Sequence, residues 1–282
     1  MTASDTPTRE QVLLSSNAAE RAFGTRVVDA GDGRCHATTF VPPGSDSSGW
    51  LGPLADVLVA RAAMSLDRAP MGCRTIDLRI DFLAATGPPS GTVVGRGVLR
   101  DLDGGFALAE ATIMDHGGHS ADAADRAAQG RTVARCVGRL RMVPAGPDEI
   151  RRYSAEAGNH LTTRSLPELF GLRWRERTGT GGLLEVAGAP DVGNPFGVMH
   201  GGAQHSLLVV AAEQFCRPEP ERWRPLDATM AYLASMPACG PDLTASVTVD
   251  GRTRNLLRLR IEFRTPRGKT ASGTVTMRRV DG

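Results

Sequence analysis

Aromatic side chains make up only 5% of the 282 residues, and no stretch concentrates charge of one sign. The 33 basic and 31 acidic groups are spread along the chain and leave a formal net charge of +2. Without a basic block there is no electrostatic footprint for nucleic acid, so neither DNA nor RNA is expected as a partner. The five cysteines (Cys35, Cys73, Cys136, Cys216, Cys239) are odd in number and form no C-x-x-C pair, which points to a reduced, cytosolic setting. The longest apolar runs, Val57 to Ala60 and Ser206 to Ala212, fall far short of a membrane span. The opening MTASDTPTRE lacks the basic-then-apolar order of a signal peptide. These absences predict a soluble, cytoplasmic protein that does not engage a membrane. With 41% apolar residues, the chain is long enough for one large domain or two medium ones, each with a proper core.

What the chain does contain is a repeat of itself. Ile76-Asp-Leu-Arg-Ile-Asp-Phe-Leu-Ala-Ala85 matches Leu226-Asp-Ala-Thr-Met-Ala-Tyr-Leu-Ala-Ser235. The same register, without gaps, lays Phe106–Ile113 on Leu256–Phe263, and both read as strands with a period near two. A last pair, Thr132–Val143 and Lys269–Val280, closes each half. The first half carries an extra small, polar stretch, His116 to Gly130, expected to be a surface loop. Ahead of the strands lie two apolar, Ala- and Leu-rich segments, Leu54–Leu66 and Ala203–Cys216. Their composition favours helix, and the near-absence of a polar face predicts that both are buried. Shorter helices are expected at Arg9–Ala22 and around Pro167–Phe170. Each half then reads as short helix, strand, Gly-rich loop, buried helix and about four strands. The expected class is α+β: two tandem units, 1–145 and 146–282, each an antiparallel sheet wrapped around one helix, with the boundary near Pro144–Pro147.

One motif carries chemistry. Asn194-Pro-Phe-Gly-Val-Met-His200-Gly201-Gly202 immediately precedes the second buried helix. It resembles the signature of hotdog-fold acyl-CoA thioesterases of the hydroxybenzoyl-CoA and phenylacetyl-CoA type. The resemblance implies two hotdog units paired as a pseudo-dimer, with acyl-CoA hydrolysed in a cleft between them and no cofactor or metal. It also leaves room for a homodimer of such chains. A thioester carbonyl under attack develops an oxyanion, which the unpaired N–H groups and dipole of a helix N-terminus stabilise. Gly201 is therefore expected to be the oxyanion donor, His200 to shape the loop, Asn194 to position water or the carbonyl, and Gly202 to contact substrate. His-Gly-Gly recurs at His116–Gly118, but no apolar helix follows it, so that copy is expected to be a decoy. Asp115, His116 and His119 have no further ligand at supporting spacing, and no metal is expected there.

The family's helical Asp or Glu falls at Val209 here, so the half with the glycine loop lacks the acid. In the first half, Leu54-Ala55-Asp56 matches the family's Leu-Ala-Asp, whereas Ser47-Ser48-Gly49 stands in place of His-Gly-Gly. The resemblance implies sites built from the loop of one unit and the acid of the other. Asp56 and Gly201 are then expected to meet in one working cleft, with Asp56 as general base or nucleophile. An Asp in the first turn of a helix is also favourable through the dipole alone. The opposite pseudo-site, Ser48 and Gly49 against Val209, is expected to lack an acid. Glu213, one turn beyond Val209 on the same face, either supplies an alternative acid and a substrate contact or reaches solvent near the helix end. His205 is expected to be a hydrogen-bonded interface histidine. Arg252, Arg254, Arg258 and Arg260 are candidates for a basic rim or, equally, the solvated side of a strand. Two other readings compete with hydrolysis: a non-catalytic acyl-CoA-binding or scaffolding protein, and hydration or dehydration of an enoyl or hydroxyacyl thioester. Neither buried segment shows the Asp/His pair the latter needs.

Overall fold

A computed structural model describes residues 8–66, 72–83, 89–115, 130–144, 161–194, 197–219 and 222–280. The second His-Gly-Gly copy, the rest of the polar stretch up to Gln129 and most of the expected boundary lie outside them. The chain opens with α1 (Arg9–Leu14) and α2 (Ala18–Ala22). One helix is expected over this span, but Asn17 divides it. Asn17 accepts the Glu20 N–H while its own N–H donates to the Glu20 carboxylate, a capping box that starts a new helix.

Strands β1 (Arg26–Gly31) and β2 (Arg34–Val41) follow, then a short 3-10 turn (Ser48–Leu51) leading into α3 (Gly52–Met64). Next come β3 (Gly72–Phe82), β4 (Gly91–Asp103), β5 (Phe106–Asp115) and β6 (Arg131–Val143). The order then recurs: α4 (Leu166–Leu169), β7 (Leu172–Arg177), β8 (Gly181–Gly188), a 3-10 turn (Pro190–Val192) and α5 (Gly201–Cys216). The chain closes with β9 (Arg222–Tyr232), β10 (Cys239–Arg252), β11 (Leu256–Thr265) and β12 (Gly268–Val280). Each half places two strands ahead of the long helix where one is expected. The missed signal in the first half is Asp32-Gly33, with φ of 50° and 74°, the two left-handed positions of a tight hairpin turn.

All twelve strands form one sheet in the order β1-β2-β4-β5-β6-β3-β9-β12-β11-β10-β8-β7, every neighbouring pair antiparallel. The order reads the same from either end when each strand is exchanged for its counterpart in the other half. The halves join through β3 and β9, where Arg79 pairs with Thr229. The register that lays Ile76 on Leu226 also lays Arg79 on Thr229. A local twofold axis therefore runs through that pair.

Both long helices are buried, Leu54, Leu58 and Ala62 of α3 and Leu207, Leu208 and Ala211 of α5 being fully so. Each such leucine contributes about 1.5–3 kcal/mol by leaving water. The sheet makes room for α3 by omitting side chains beneath it. A Cβ on Gly95 would sit 2.2 Å from Leu58 Cδ1, and one on Gly97 2.3 Å from the Leu58 carbonyl oxygen. The two helices touch at their N-termini. A Cβ on Gly202 would lie 2.4 Å from Pro53 Cα, and one on Gly52 2.4 Å from the Gly202 carbonyl oxygen. Ser206 Oγ secures the crossing by donating to Gly49 O at 2.6 Å. No helix among the described residues is long and apolar enough to cross a membrane.

Candidate active site

Helix α5 begins at His200, whose Nδ1 accepts the Gly202 N–H at 3.1 Å. That N–H is shared with Asp56 Oδ2 at 3.0 Å. The Gly201 N–H, one residue earlier, meets no acceptor among the described residues. Because the crossing at Gly52, Pro53 and Gly202 allows backbone to approach backbone, α3 brings Asp56 directly over this N-terminus. A Cβ on Gly201 would fall 2.8 Å from Asp56 Oδ2.

Asp56 is 5% exposed, and its second oxygen is also held: Thr75 of β3 donates its hydroxyl to Oδ1 at 2.8 Å. The loop is fixed from the other side by Tyr232 of β9, whose hydroxyl donates to Gly201 O at 2.9 Å. Burial holds the Tyr232 phenol well above its usual range, with Asp56 and Asp77 adding to the effect, so it remains a donor.

Behind His200 stands Glu20 of α2, 3% exposed. Its carboxylate lies 3.6 Å from His200 Nε2 and 3.4 Å from Arg61 Nη2. Burial pushes the Glu20 carboxyl up, but Arg61 and His200 outweigh it and hold it below the usual carboxylate range. For His200, burial opposes the cation while Glu20 and Asp56 favour it, and the net direction is upward. In the neutral ring the proton sits on Nε2 towards Glu20 and Nδ1 accepts from Gly202. In the cation, Nδ1–H faces Asp56 Oδ2 at 3.6 Å and leaves the Gly202 N–H to that carboxylate.

These groups line one wall of a cavity of about 360 Å³. Its other walls include Val57, Ala60 and Met64 of α3 and Cys73 of β3, with Arg74 and Arg141 also on the lining. Gln204 reaches it too, with its amide nitrogen donating to Met199 O and its Oε1 unpaired among the described residues.

The structure thus brings Asp56, His200 and Gly201 together. Asn194 lines the same cavity, but its Oδ1 accepts the Val198 N–H at 3.2 Å and closes a local turn. Pro195 and Phe196 of the motif lie outside the described residues. Gly202, expected to contact substrate, faces Gly52 and Pro53 instead and is part of the helix crossing. Glu213 is half-buried and does not line this cavity. It reaches across the pseudo-dyad, accepting Ser47 Oγ–H at 2.5 Å and Ser48 N–H at 2.9 Å, so the opposite pseudo-site does contain an acid. Burial raises Glu213 to about 7 against the pull of those two donors. His205 is fully buried; Nε2 sits 3.2 Å from Ala228 O, and burial lowers it to about 4, so its ring is neutral. Arg252 and Arg260 pair with Glu219 and Asp250, and none of the four candidate rim arginines lines the Asp56 cavity. Sequence reasoning missed Thr75, Tyr232, Glu20 and Arg61. The two hydroxyls carry no motif, and the Glu20–Arg61 pair is formed only when α2 packs on α3.

Residues 189–278 match the family model described as the acyl-CoA thioesterase N-terminal domain. That span runs from the end of β8 through α5 into β12, so it contains the His200–Gly202 loop and leaves out Asp56. No curated protein sequence matches the chain. Among solved structures, the acyl-CoA thioesterase II TesB2 of Mycobacterium marinum aligns with a TM-score of 0.61 at 11% identity, over 94% of this chain and 98% of that one. The tesB protein of Mycobacterium avium subs. paratuberculosis aligns with a TM-score of 0.65 at 11% identity, over 94% and 100%. A protein with a hot dog fold from Alicyclobacillus acidocaldarius gives 0.53 at 12% identity, over 95% and 99%. The chain has a hotdog fold. In this hotdog sheet the wrapped helices are α3 and α5, and the cavity opens where their N-termini cross.

Proposed function

We propose that the chain is an acyl-CoA thioesterase, built as two hotdog units in tandem (1–145 and 146–282) that share one working site. The observation that carries this reading is the meeting of Asp56, from the first half, with the N-terminus of α5, from the second, on the wall of a cavity. The thioester carbonyl oxygen takes the Gly201 N–H, where backbone partial charge and helix dipole stabilise the developing oxyanion. Asp56 either draws a proton from water as it attacks the carbonyl carbon or attacks that carbon itself. The C–S bond then breaks. In the first route the proton taken up by Asp56 passes to the departing thiolate of CoA and the free acid is released. In the second, water hydrolyses the acyl-Asp56 anhydride, which releases the acid, regenerates the carboxylate and supplies the proton to the thiolate. Thr75 and the Gly202 N–H aim the carboxylate, and Tyr232 and His200 hold the loop. The unpaired Gln204 Oε1 on the same wall is placed to accept a hydrogen bond from the water. Asn194 acts by holding the turn that leads into His200.

The motif from Asn194 to Gly202 is similar to that of hydroxybenzoyl- and phenylacetyl-CoA thioesterases, which places aromatic acyl groups among the substrates to be tried. Thiol release is measured across short, long and aromatic acyl-CoAs for the wild type and Asp56→Asn. The variant is expected to lose about 10²-fold or more in kcat while still binding substrate. No release from any acyl-CoA by the wild type would instead support a protein that binds acyl-CoA without turning it over.

A further inference from the structure

A second cavity, of about 420 Å³, lies against Glu213 and Ser47. It is the twofold counterpart of the Asp56 cavity. The register that lays Asp56 on Val209 lays Ala60 on Glu213 and Met64 on Arg217. The register that joins β3 to β9 lays Gly72 on Arg222, Cys73 on Trp223 and Arg74 on Arg224. Apart from Val209, each of these residues lines its own cavity. The void is therefore kept on both sides of the axis while its chemistry has changed. Ala60, Met64 and Gly72 in the first cavity are replaced by a carboxyl and two arginines in the second, while Arg74 is matched by Arg224.

The charges in the second cavity are unevenly matched. Arg217, Arg222 and Arg224 make no ion pair with a carboxylate among the described residues, and Arg224 donates only to the Asp46 carbonyl, at 3.4 Å. Three acids share the lining. Glu219 is engaged by Arg252 at 2.6 Å and by Trp223 Nε1 at 3.0 Å. Glu213 is engaged by Ser47 and Ser48 and also feels the charge of Arg224, so that only Glu213 and Asp46 offset three guanidinium groups. The Ser48 N–H, counterpart of the Gly201 N–H, is already taken by Glu213, so no thioester carbonyl can use it without displacing that carboxyl. Unpaired guanidinium groups around a concave, nucleotide-sized space favour a ligand with several negative oxygens.

We propose that this second cavity is a non-catalytic binding site for a small phosphorylated ligand, held by Arg217, Arg222 and Arg224 beside the Trp223 ring. The site stands independently of whether the first cavity hydrolyses thioesters. The phosphate can come from the nucleotide end of CoA, from a free nucleotide or from inorganic phosphate. Titration calorimetry with adenosine 3′,5′-bisphosphate, ATP, inorganic phosphate and unphosphorylated adenosine separates these sources. Tryptophan fluorescence recorded in parallel, with Trp223→Phe as reference, locates the site. Expected results are saturable binding of at least one phosphorylated probe, none of adenosine, and a fluorescence change abolished in Trp223→Phe. Arg222→Ser/Arg224→Ser is expected to weaken binding by about tenfold or more, whereas Arg74→Ser in the first cavity leaves it unchanged. Should the double variant not fold, Arg217→Ser at the end of α5 makes the same comparison. Failure of every phosphorylated probe to saturate, binding unaffected by the arginine variants, or loss of binding with Arg74→Ser instead would each overturn the proposal.

Discussion

At position 202 a methyl group would meet Pro53 Cα at 2.4 Å and the Gly52 carbonyl oxygen at 2.6 Å, both fixed backbone atoms. Gly202→Ala must therefore push α3 and α5 apart, and it is expected to cost about 1–3 kcal/mol or more in a denaturant melt. At position 201 the nearest atom is the end of the Asp56 side chain, at 2.8 Å, which can rotate. Gly201→Ala is expected to cost less stability than Gly202→Ala and to lose kcat, because what moves is the acid and its hydrogen bonds to Thr75 and the Gly202 N–H. The His-Gly-Gly motif marked both glycines as special. Only the packing shows that one serves a helix crossing and the other a cleft. Glu20 had no such mark, being one acid among 31. Its effect on His200 is measurable: the imidazole should titrate above 6.5 by NMR in the wild type and lower in Glu20→Gln, since removing the carboxylate leaves burial less opposed. A raised imidazole stabilises the fold fully below its ordinary pKa, and that contribution fades as pH rises through the raised value.

Helix α5 does more than carry the loop at its start. Three turns along, Glu213 ties it to the 3-10 turn ahead of α3, and burial raises that carboxyl from 4.5 to about 7. Folding then favours the protonated form. Its contribution is fully present below pH 4.5 and is lost as pH rises through about 7. Urea melts between those pH values should show the wild type losing on the order of 2–3 kcal/mol relative to Glu213→Gln, which cannot ionise. A wild type as flat as the variant would mean that the carboxyl is solvated. The long helices themselves were legible from Leu54–Leu66 and Ala203–Cys216, because a continuous apolar run has few other ways to be satisfied. Glu213 was harder. A glutamate late in a helix usually faces water, and nothing local indicates that the other half of the chain covers it.

Across the whole molecule, the site depends on the join between halves. The β3–β9 pairing makes one continuous sheet and sets the crossing of α3 and α5, which puts an acid from one half 3.0 Å from a backbone donor of the other. Two groups acting on one reacting carbonyl should not add independently. A double-mutant cycle of Asp56→Asn and Gly201→Ala in kcat is expected to show the double variant close to the worse single variant. Full additivity would mean that the two halves act at separate places.

The repeat, the strand spacing and the two buried helices follow from hydrophobic period and self-similarity, properties that a chain carries residue by residue. So does the asymmetry between the halves, since Asp56 stands in one and His200-Gly201-Gly202 in the other. Which glycine faces the cavity, that Thr75 and Tyr232 hold the acid and the loop, and that Glu213 closes the opposite donor were decided by tertiary structure. Each depends on contacts between residues far apart in the chain, set by the angle at which two helices cross beneath one sheet. The second cavity belongs to the same class. Its arginines are ordinary surface residues until the pseudo-dyad places them where the first cavity has Met64, Gly72 and Arg74.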